Sequence, residues 1–314
     1  MEKKLGLATR DAYGQALLEL GRKDPRIVVL DADLAVSTKT AVFAKEFPDR
    51  FINVGISEAN MVGMAGGLAS SGKVPFISSF SCFLTCKGYD QLRMAVALPH
   101  LNVKVVTSHG GISVGEDGSS QQSIEDVALA TSLPGFTVIL PSDEFATRAL
   151  VTAAAEMKGP VYIRTGRPKA PIVYDPSSAF KVGKGILLRK GADITLVANG
   201  LLVFEALSAA EQLGQEGVSA AVVDMHTVKP IDAELIQAQA QATGAIVTAE
   251  EHQIWGGLGS AVAKVVAERC PVPMEFVAIQ DTYAESGKPD ELLAKYGLTA
   301  RNIVEAARRV LKRK

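Results

Sequence analysis

The sequence predicts two consecutive open, mainly parallel α/β domains. Three observations carry this. Short apolar runs suited to buried strands alternate with segments of helical period through the first half of the 314 residues. A proline-bearing stretch then breaks the pattern, and a second, shorter alternation follows it.

In the first half, residues 27–30, 51–54, 74–78, 103–107, 137–140 and 161–164 read as strands. Residues 11–20, 58–69, 91–98, 123–131 and 144–156 read as helices. Residues 168–184 hold three prolines and little periodicity, the mark of a connector. The second alternation runs through 194–198, 202–213, 219–224, 233–239, 245–250, 260–269, 274–278 and 299–311. The expected organisation is a first domain over 1–170, a connector over 171–190 and a smaller second domain over 191–314. The length agrees, because single cores stop growing near ~250–300 residues.

Bulk properties exclude several classes. Hydrophobic residues make up 47% and charged residues 21%, an ordinary globular mix. A net charge of −1 supplies no global field for nucleic acid or anionic lipid. Cys82, Cys86 and Cys270 are too few, and odd in number, for a disulfide framework. No Cys/His pair at zinc-like spacing accompanies Cys82 and Cys86, so no metal site is expected in this chain. The N-terminus lacks an apolar core of signal-peptide length, and no apolar run reaches the ~18–20 residues of a membrane helix. A cytoplasmic protein is expected.

Two glycine motifs fail on inspection. Gly67-Leu-Ala-Ser-Ser-Gly72-Lys73 resembles a P-loop, but Val74 stands where Ser or Thr is required, and the segment ends a helix. A helix-terminating glycine explains it. Gly257-Leu-Gly259 lacks the third small residue of a dinucleotide fingerprint, and tight helix–strand packing accounts for it.

Four stretches carry chemistry. In Asn53-Val-Gly-Ile-Ser-Glu58, a strand ends and a helix begins, with Glu58 in its first turn. Such a glutamate complements the helix dipole, or it is a carboxyl held in a dry pocket and able to share a proton with a heterocyclic nitrogen. Phe76, Phe80 and Phe83 crowd eight positions in a chain only 6% aromatic. They pack a core, or Phe83 stacks on a planar ligand. Residues 108–122 hold four glycines with His109, Glu116, Asp117 and Gln121, which makes a shaped loop with hydrogen-bonding groups suited to a polyhydroxylated ligand. Ile163-Arg164-Thr-Gly-Arg167 lies at a strand end, where ligands of α/β sheets collect and where arginine suits phosphate. Arg10 and Ser37 are further polar groups near element ends.

Taken in order, ATRDAYGQAL, DADLAVST, PDRFINVGISEANM, VPFISSFSCF, YDQLRMA, SHGGISVGEDGSSQQSIED, PSD and IRTGRP resemble transketolase. The resemblance covers residues 5–170 and continues more loosely through EEHQIWGGLGSAV. It implies a thiamine diphosphate enzyme that moves a two-carbon ketol unit between sugar phosphates, in the pentose phosphate pathway. It implies the pyrimidine-binding and C-terminal domains only. The Gly-Asp-Gly signature of the diphosphate domain is absent here, so an N-terminal partner subunit is expected to hold the diphosphate and Mg2+, in an α2β2 assembly.

By the same resemblance, Glu58 hydrogen-bonds the aminopyrimidine ring nitrogen and promotes its imino tautomer. Phe83 stacks on that ring, and Gln121 and Asp33 lie near the cofactor. Arg10, Ser37, His109 and Arg167 bind the sugar phosphate, and Asp117 reads a substrate hydroxyl. The β subunit of a 2-oxo acid dehydrogenase E1 shares the two domains and an equivalent glutamate, but a 2-oxo acid needs no Arg10/Ser37/His109/Arg167 set. In 1-deoxyxylulose-5-phosphate synthase an arginine tends to stand near the position of His109. A non-catalytic module of the same fold predicts loss of these side chains, and all are present.

Overall fold

The computed structural model describes residues 3–314. Its larger sheet has seven strands, in the order Thr227–Lys229, Thr137–Ile139, Val161–Arg164, Lys104–Thr107, Val74–Ser78, Ile27–Asp31 and Phe51–Asn53. All neighbours pair in parallel except Thr227–Lys229, which runs antiparallel to Thr137–Ile139. The second sheet has five strands, in the order Met274–Ile279, Ile246–Gln253, Ile194–Ala198, Ala220–Asp224 and Ile186–Arg189. It is parallel apart from its last strand. Two open, mainly parallel α/β units are therefore present, as expected.

Alternation along a strand builds the layers. In Ile27–Asp31, Ile27 and Val29 pack with Tyr13 and Leu17 on one face. Val28 and Leu30 pack with Met61, Val62 and Leu84 on the other. Helix Thr9–Lys23 thus covers one face, and helix Glu58–Ser70 the other. The expected helix over 91–98 is wound as a π-helix over Leu92–Ala97.

Several elements depart from the expected organisation: Leu5–Ala8 pairs antiparallel with Lys169–Pro171 in a small third sheet, and two strands of the main sheets were not expected. Ile186–Arg189 lies within the stretch 171–190 read as connector, yet pairs antiparallel with Ala220–Asp224. Its run Ile186-Leu187-Leu188 is short and follows a proline-rich stretch, which hid it. Thr227–Lys229, from the second half of the chain, completes the edge of the first sheet. The two halves therefore share backbone hydrogen bonds.

Polar contacts lock the connector to both halves. One Asp143 carboxylate oxygen caps helix Glu144–Glu156 by accepting from Ala146 N at 2.9 Å. The other accepts from Val173 N and Tyr174 N, each at 2.9 Å. The Tyr174 hydroxyl then donates to Asp224 Oδ2 at 2.8 Å, beside Ser142 Oγ at 3.1 Å. Burial pushes the Asp224 carboxyl up to about 7.

Both rejected glycine motifs are structural. Gly72 has φ of 86° just after helix Glu58–Ser70, where a left-handed residue is needed. At Gly257 a Cβ would lie 2.1 Å from Glu250 Oε2. That carboxylate caps helix Leu258–Arg269 by accepting from Leu258 N at 2.7 Å and Gly259 N at 2.8 Å.

Candidate active site

The predicted residues converge because five segments leave the same edge of the larger sheet, past the carboxyl ends of parallel strands. These are the turns after Ile27–Asp31, Phe51–Asn53, Val74–Ser78, Lys104–Thr107 and Val161–Arg164. Arg10 joins them from the first turn of helix Thr9–Lys23.

Glu58 opens helix Glu58–Ser70 and is only 3% exposed. Its Oε1 accepts from Ser79 Oγ at 3.2 Å, and its Oε2 lies 3.9 Å from Lys87 Nζ. The Lys87 ammonium also sits over the Phe83 ring, 4.4 Å from the centroid. Phe83 stacks on Phe80, with centroids 5.4 Å apart and planes at 19°. Phe80 stacks in turn on His109 at 3.7 Å and 22°. A continuous file of side chains therefore runs from Glu58 to His109.

Beyond His109 the file becomes cationic. Arg10 NH1 lies 3.3 Å from His109 Nε2 and donates to the Ser37 carbonyl at 3.1 Å. Arginine has no acceptor, so Nε2 accepts. The ring proton is then on Nδ1, which donates to Ser108 Oγ at 2.8 Å. Burial, with Arg10, Arg167 and Lys39 nearby, pushes the His109 imidazole down to about 3. It is a neutral ring near pH 7. Burial also lowers the Arg10 guanidinium, which Asp11 pulls back up and Arg167 pushes down. Arg10 Nε is buried without a partner. Two guanidiniums that repel each other, one with an unspent donor, suit an anion.

Arg167 is held from below. It donates to the Val114 carbonyl and to Glu116 Oε2 at 3.0 Å, and it lies 3.8 Å from Asp117 Oδ1. Asp117 is exposed on a short 3-10 turn, Gly115–Asp117. Gln121 is half-buried; its side-chain carbonyl accepts from Ser120 Oγ at 2.6 Å, and its backbone carbonyl lies 3.3 Å from Cys82 Sγ. This ties the loop to the helix that carries Phe83. Asp33 is exposed and accepts from Asn53 Nδ2 at 3.0 Å. It shares a segment with Ser37, and among the described residues no hydrogen bond joins its side chain to the aromatic file.

The backbone here is bent to purpose. Asp33, Lys39 and His109 have φ of 66°, 71° and 60°, in the left-handed region that costs a non-glycine residue energy. Asp31 holds the Asp33–Ser37 turn: it accepts from Leu34 N at 2.6 Å, Thr38 Oγ1 at 2.6 Å and Thr40 Oγ1 at 2.8 Å. Burial raises its carboxyl, partly offset by these bonds.

The two arginines of the fourth stretch part company. Arg164 is 7% exposed and turns inward, donating to the Glu251 carbonyl at 2.7 Å, with Nε 3.5 Å from Asp126. Glu251 Oε1 in turn accepts from Ser113 N at 2.6 Å. A Cβ at Gly110 would fall 1.9 Å from Arg164 Nε. Gly110 and Gly111 are therefore explained by Arg164 packing against the second domain, while Gly115 and Gly118 adopt φ of 85° and 79° against Pro289 and Ser286. Lys87 and Asp31 were not singled out in the sequence, and Phe80 was read there only as one of three crowded aromatics. The i,i+4 spacing of Phe83 and Lys87 on helix Ser81–Lys87 was an available signal.

Residues 6–172 match the transketolase pyrimidine-binding domain, and residues 183–303 match the transketolase C-terminal domain. The chain belongs to the transketolase family. It is 47% identical over 299 residues to a putative transketolase C-terminal section of Methanocaldococcus jannaschii, covering 94% of each chain. It is 45% identical to a 6-deoxy-6-sulfo-D-fructose transketolase subunit of a Clostridium species, covering 97% of this chain and 95% of that one. A solved split-gene transketolase, described as an inactive β4 tetramer, superposes with a TM-score of 0.92 at 50% identity, over 98% of this chain and 99% of that one. In this transketolase-family chain, Glu58, Phe83, Phe80, His109 and Arg10 lie in the domain matched as pyrimidine-binding.

Proposed function

We propose that this chain is the C-terminal subunit of a two-chain, thiamine-diphosphate-dependent transketolase. The observation that carries the reading is the unbroken file from Glu58 through Phe83, Phe80 and His109 to Arg10. It joins a buried carboxyl and a partly open aromatic ring to an anion-suited cluster. An aminopyrimidine fits the first end, since among the described residues Glu58 Oε2 has only the half-exposed Lys87 beside it, and Phe83 offers a ring to stack on.

When bound, thiamine diphosphate supplies the nucleophilic carbon and the electron sink for breaking the carbon–carbon bond. The chain's own residues do the rest of what this reading assigns. Glu58 shares a proton with the pyrimidine ring nitrogen, and Ser79 holds the carboxyl in line. Phe83, backed by Phe80, sets the ring plane and excludes water. Arg10, Arg167, Ser37 and neutral His109 hold the terminal phosphate of the sugar, and Asp117 reads a hydroxyl. Gln121 and Asp33 flank the cofactor.

In this reading the diphosphate and Mg2+ belong to an N-terminal partner subunit. Large apolar side chains flank the candidate site in water: Val36 is 79% exposed and Ile56 75%. Such side chains beside a binding face mark a surface that another chain covers. Met64, Met94 and Leu98 are exposed as well, which supports self-association within an α2β2 assembly. Among the described residues no helix is long and apolar enough to cross a membrane; the reading places the enzyme in the cytoplasm, with neither nucleic acid nor membrane as partner. The cationic cluster also suits a sugar sulfonate, which the likeness to the sulfofructose enzyme subunit favours as a second substrate class.

Proton exchange at C2 of the thiazolium, followed by NMR in the mixed subunits, tests the reading. Glu58→Gln is expected to slow exchange by orders of magnitude while folding and assembly persist. An unchanged rate removes Glu58 from the role.

A further inference from the structure

Lys87 touches both groups that the reading above gives to the pyrimidine ring. Its Nζ lies 3.9 Å from Glu58 Oε2 and 4.4 Å from the Phe83 centroid. No other cation stands over Phe83 among the described residues. The other Glu58 oxygen already accepts from Ser79, so Lys87 sits at the one left for a ligand.

The space is contested. Stacked rings sit ~4.5–7 Å apart, centroid to centroid, so an ammonium 4.4 Å above Phe83 stands in the layer an incoming ring needs. Phe80 cannot yield that layer, because it is 7% exposed and sandwiched between Phe83 and His109. Lys87 can. Its side chain is 52% exposed, and it ends helix Ser81–Lys87 on a flexible four-carbon stem.

We propose that Lys87 is a reversible plug of the cofactor site, an intramolecular stand-in for the aminopyrimidine; this rests on the pyrimidine reading of Glu58 and Phe83. In the free chain its ammonium pairs with Oε2 of the Glu58 carboxylate and covers the Phe83 face. That spares a nearly buried carboxylate from standing unpaired. On cofactor entry the side chain swings outward into water and gives up one ion pair and one cation–π contact. Each is modest for a half-exposed lysine, so the plug lowers affinity without closing the site.

The test is calorimetric titration of thiamine diphosphate, with magnesium present, into the complex of this chain and the subunit carrying the diphosphate site. Wild type, Lys87→Met and Glu58→Gln are compared. Lys87→Met keeps the apolar stem and removes the charge. It is expected to tighten binding roughly threefold to tenfold. It is also expected to shorten the lag between cofactor addition and full activity. Unchanged or weaker binding by a folded Lys87→Met complex overturns the plug, and weaker binding would make Lys87 a partner of the bound ring. The Glu58→Gln arm separates the two levels. If that variant binds and works like wild type, the pyrimidine reading fails and takes the plug with it. If it is impaired while Lys87→Met matches wild type, only the plug fails.

Discussion

Phe80 stacks on His109 with ring centroids 3.7 Å apart and planes at 22°, and this contact joins the two ends of the candidate site. On one side Phe80 supports Phe83, which faces Glu58 through Lys87. On the other, His109 meets Arg10. A change at Phe80 therefore reaches both ends at once.

Phe80→Leu removes the stacking surface from the core-facing side of both rings. It is expected to cost about 1–3 kcal/mol of stability, less than a full truncation to alanine. In the assembled enzyme it should weaken both cofactor and sugar-phosphate binding. Urea denaturation together with paired cofactor and sugar titrations checks this; a change confined to one ligand would show that the file does not couple them.

Arg167→Ala and Arg10→Met each remove a charged donor from the anion cluster. Each is expected to raise KM for phosphorylated sugars roughly tenfold to a hundredfold, with kcat less affected. Glycolaldehyde, which carries no phosphate, should lose little. Steady-state kinetics with both acceptor types distinguish this from general damage, which lowers both equally.

His109 should stay neutral far below the usual range of histidine. Its folded value is pushed down to about 3, whereas an unfolded histidine titrates near 6.5. The unfolded chain thus binds a proton that the folded chain refuses between these values. Stability is lost as pH falls below about 6.5. The NMR shift of the His109 ring should be flat from about pH 8 to about pH 5, and a midpoint near 6.5 would contradict the buried geometry.

Asp224 carries the opposite sign. Its folded value is pushed up to about 7, above the ordinary 3.8. The folded chain holds a proton that the unfolded chain releases, so this contribution is lost as pH rises from about 4 to about 7. Asp224→Asn mimics the protonated form. Its stability relative to wild type should be better at about pH 8 than at about pH 5, as read by urea denaturation at each.

Much of the fold was legible because buried parallel strands are unambiguous when they recur with helices between them. Strands 74–78, 161–164 and 194–198 fall where the apolar runs placed them. Ile186–Arg189 was missed because four residues after a proline-rich stretch carry no period. Thr227–Lys229 was missed because its partner, Thr137–Ile139, is remote in sequence. The candidate site was suggested in the sequence where a residue type is odd for its place, as with Glu58 opening an apolar helix. It was not legible where the partner is three-dimensional. Nothing in the order of residues says that Arg164 faces Glu251 while Arg167 faces Asp117, or that Phe80 lies on His109. Lys87 reads as an ordinary surface lysine until its distance to Glu58 is known.

The most direct measurement is ketol transfer from xylulose 5-phosphate to ribose 5-phosphate, with thiamine diphosphate and magnesium, by this chain alone and by its mixture with the candidate N-terminal subunit. Activity in the mixture and silence of each chain alone is the predicted result. Activity of this chain by itself, or 2-oxo acid decarboxylation in place of ketol transfer by the mixture, would contradict it.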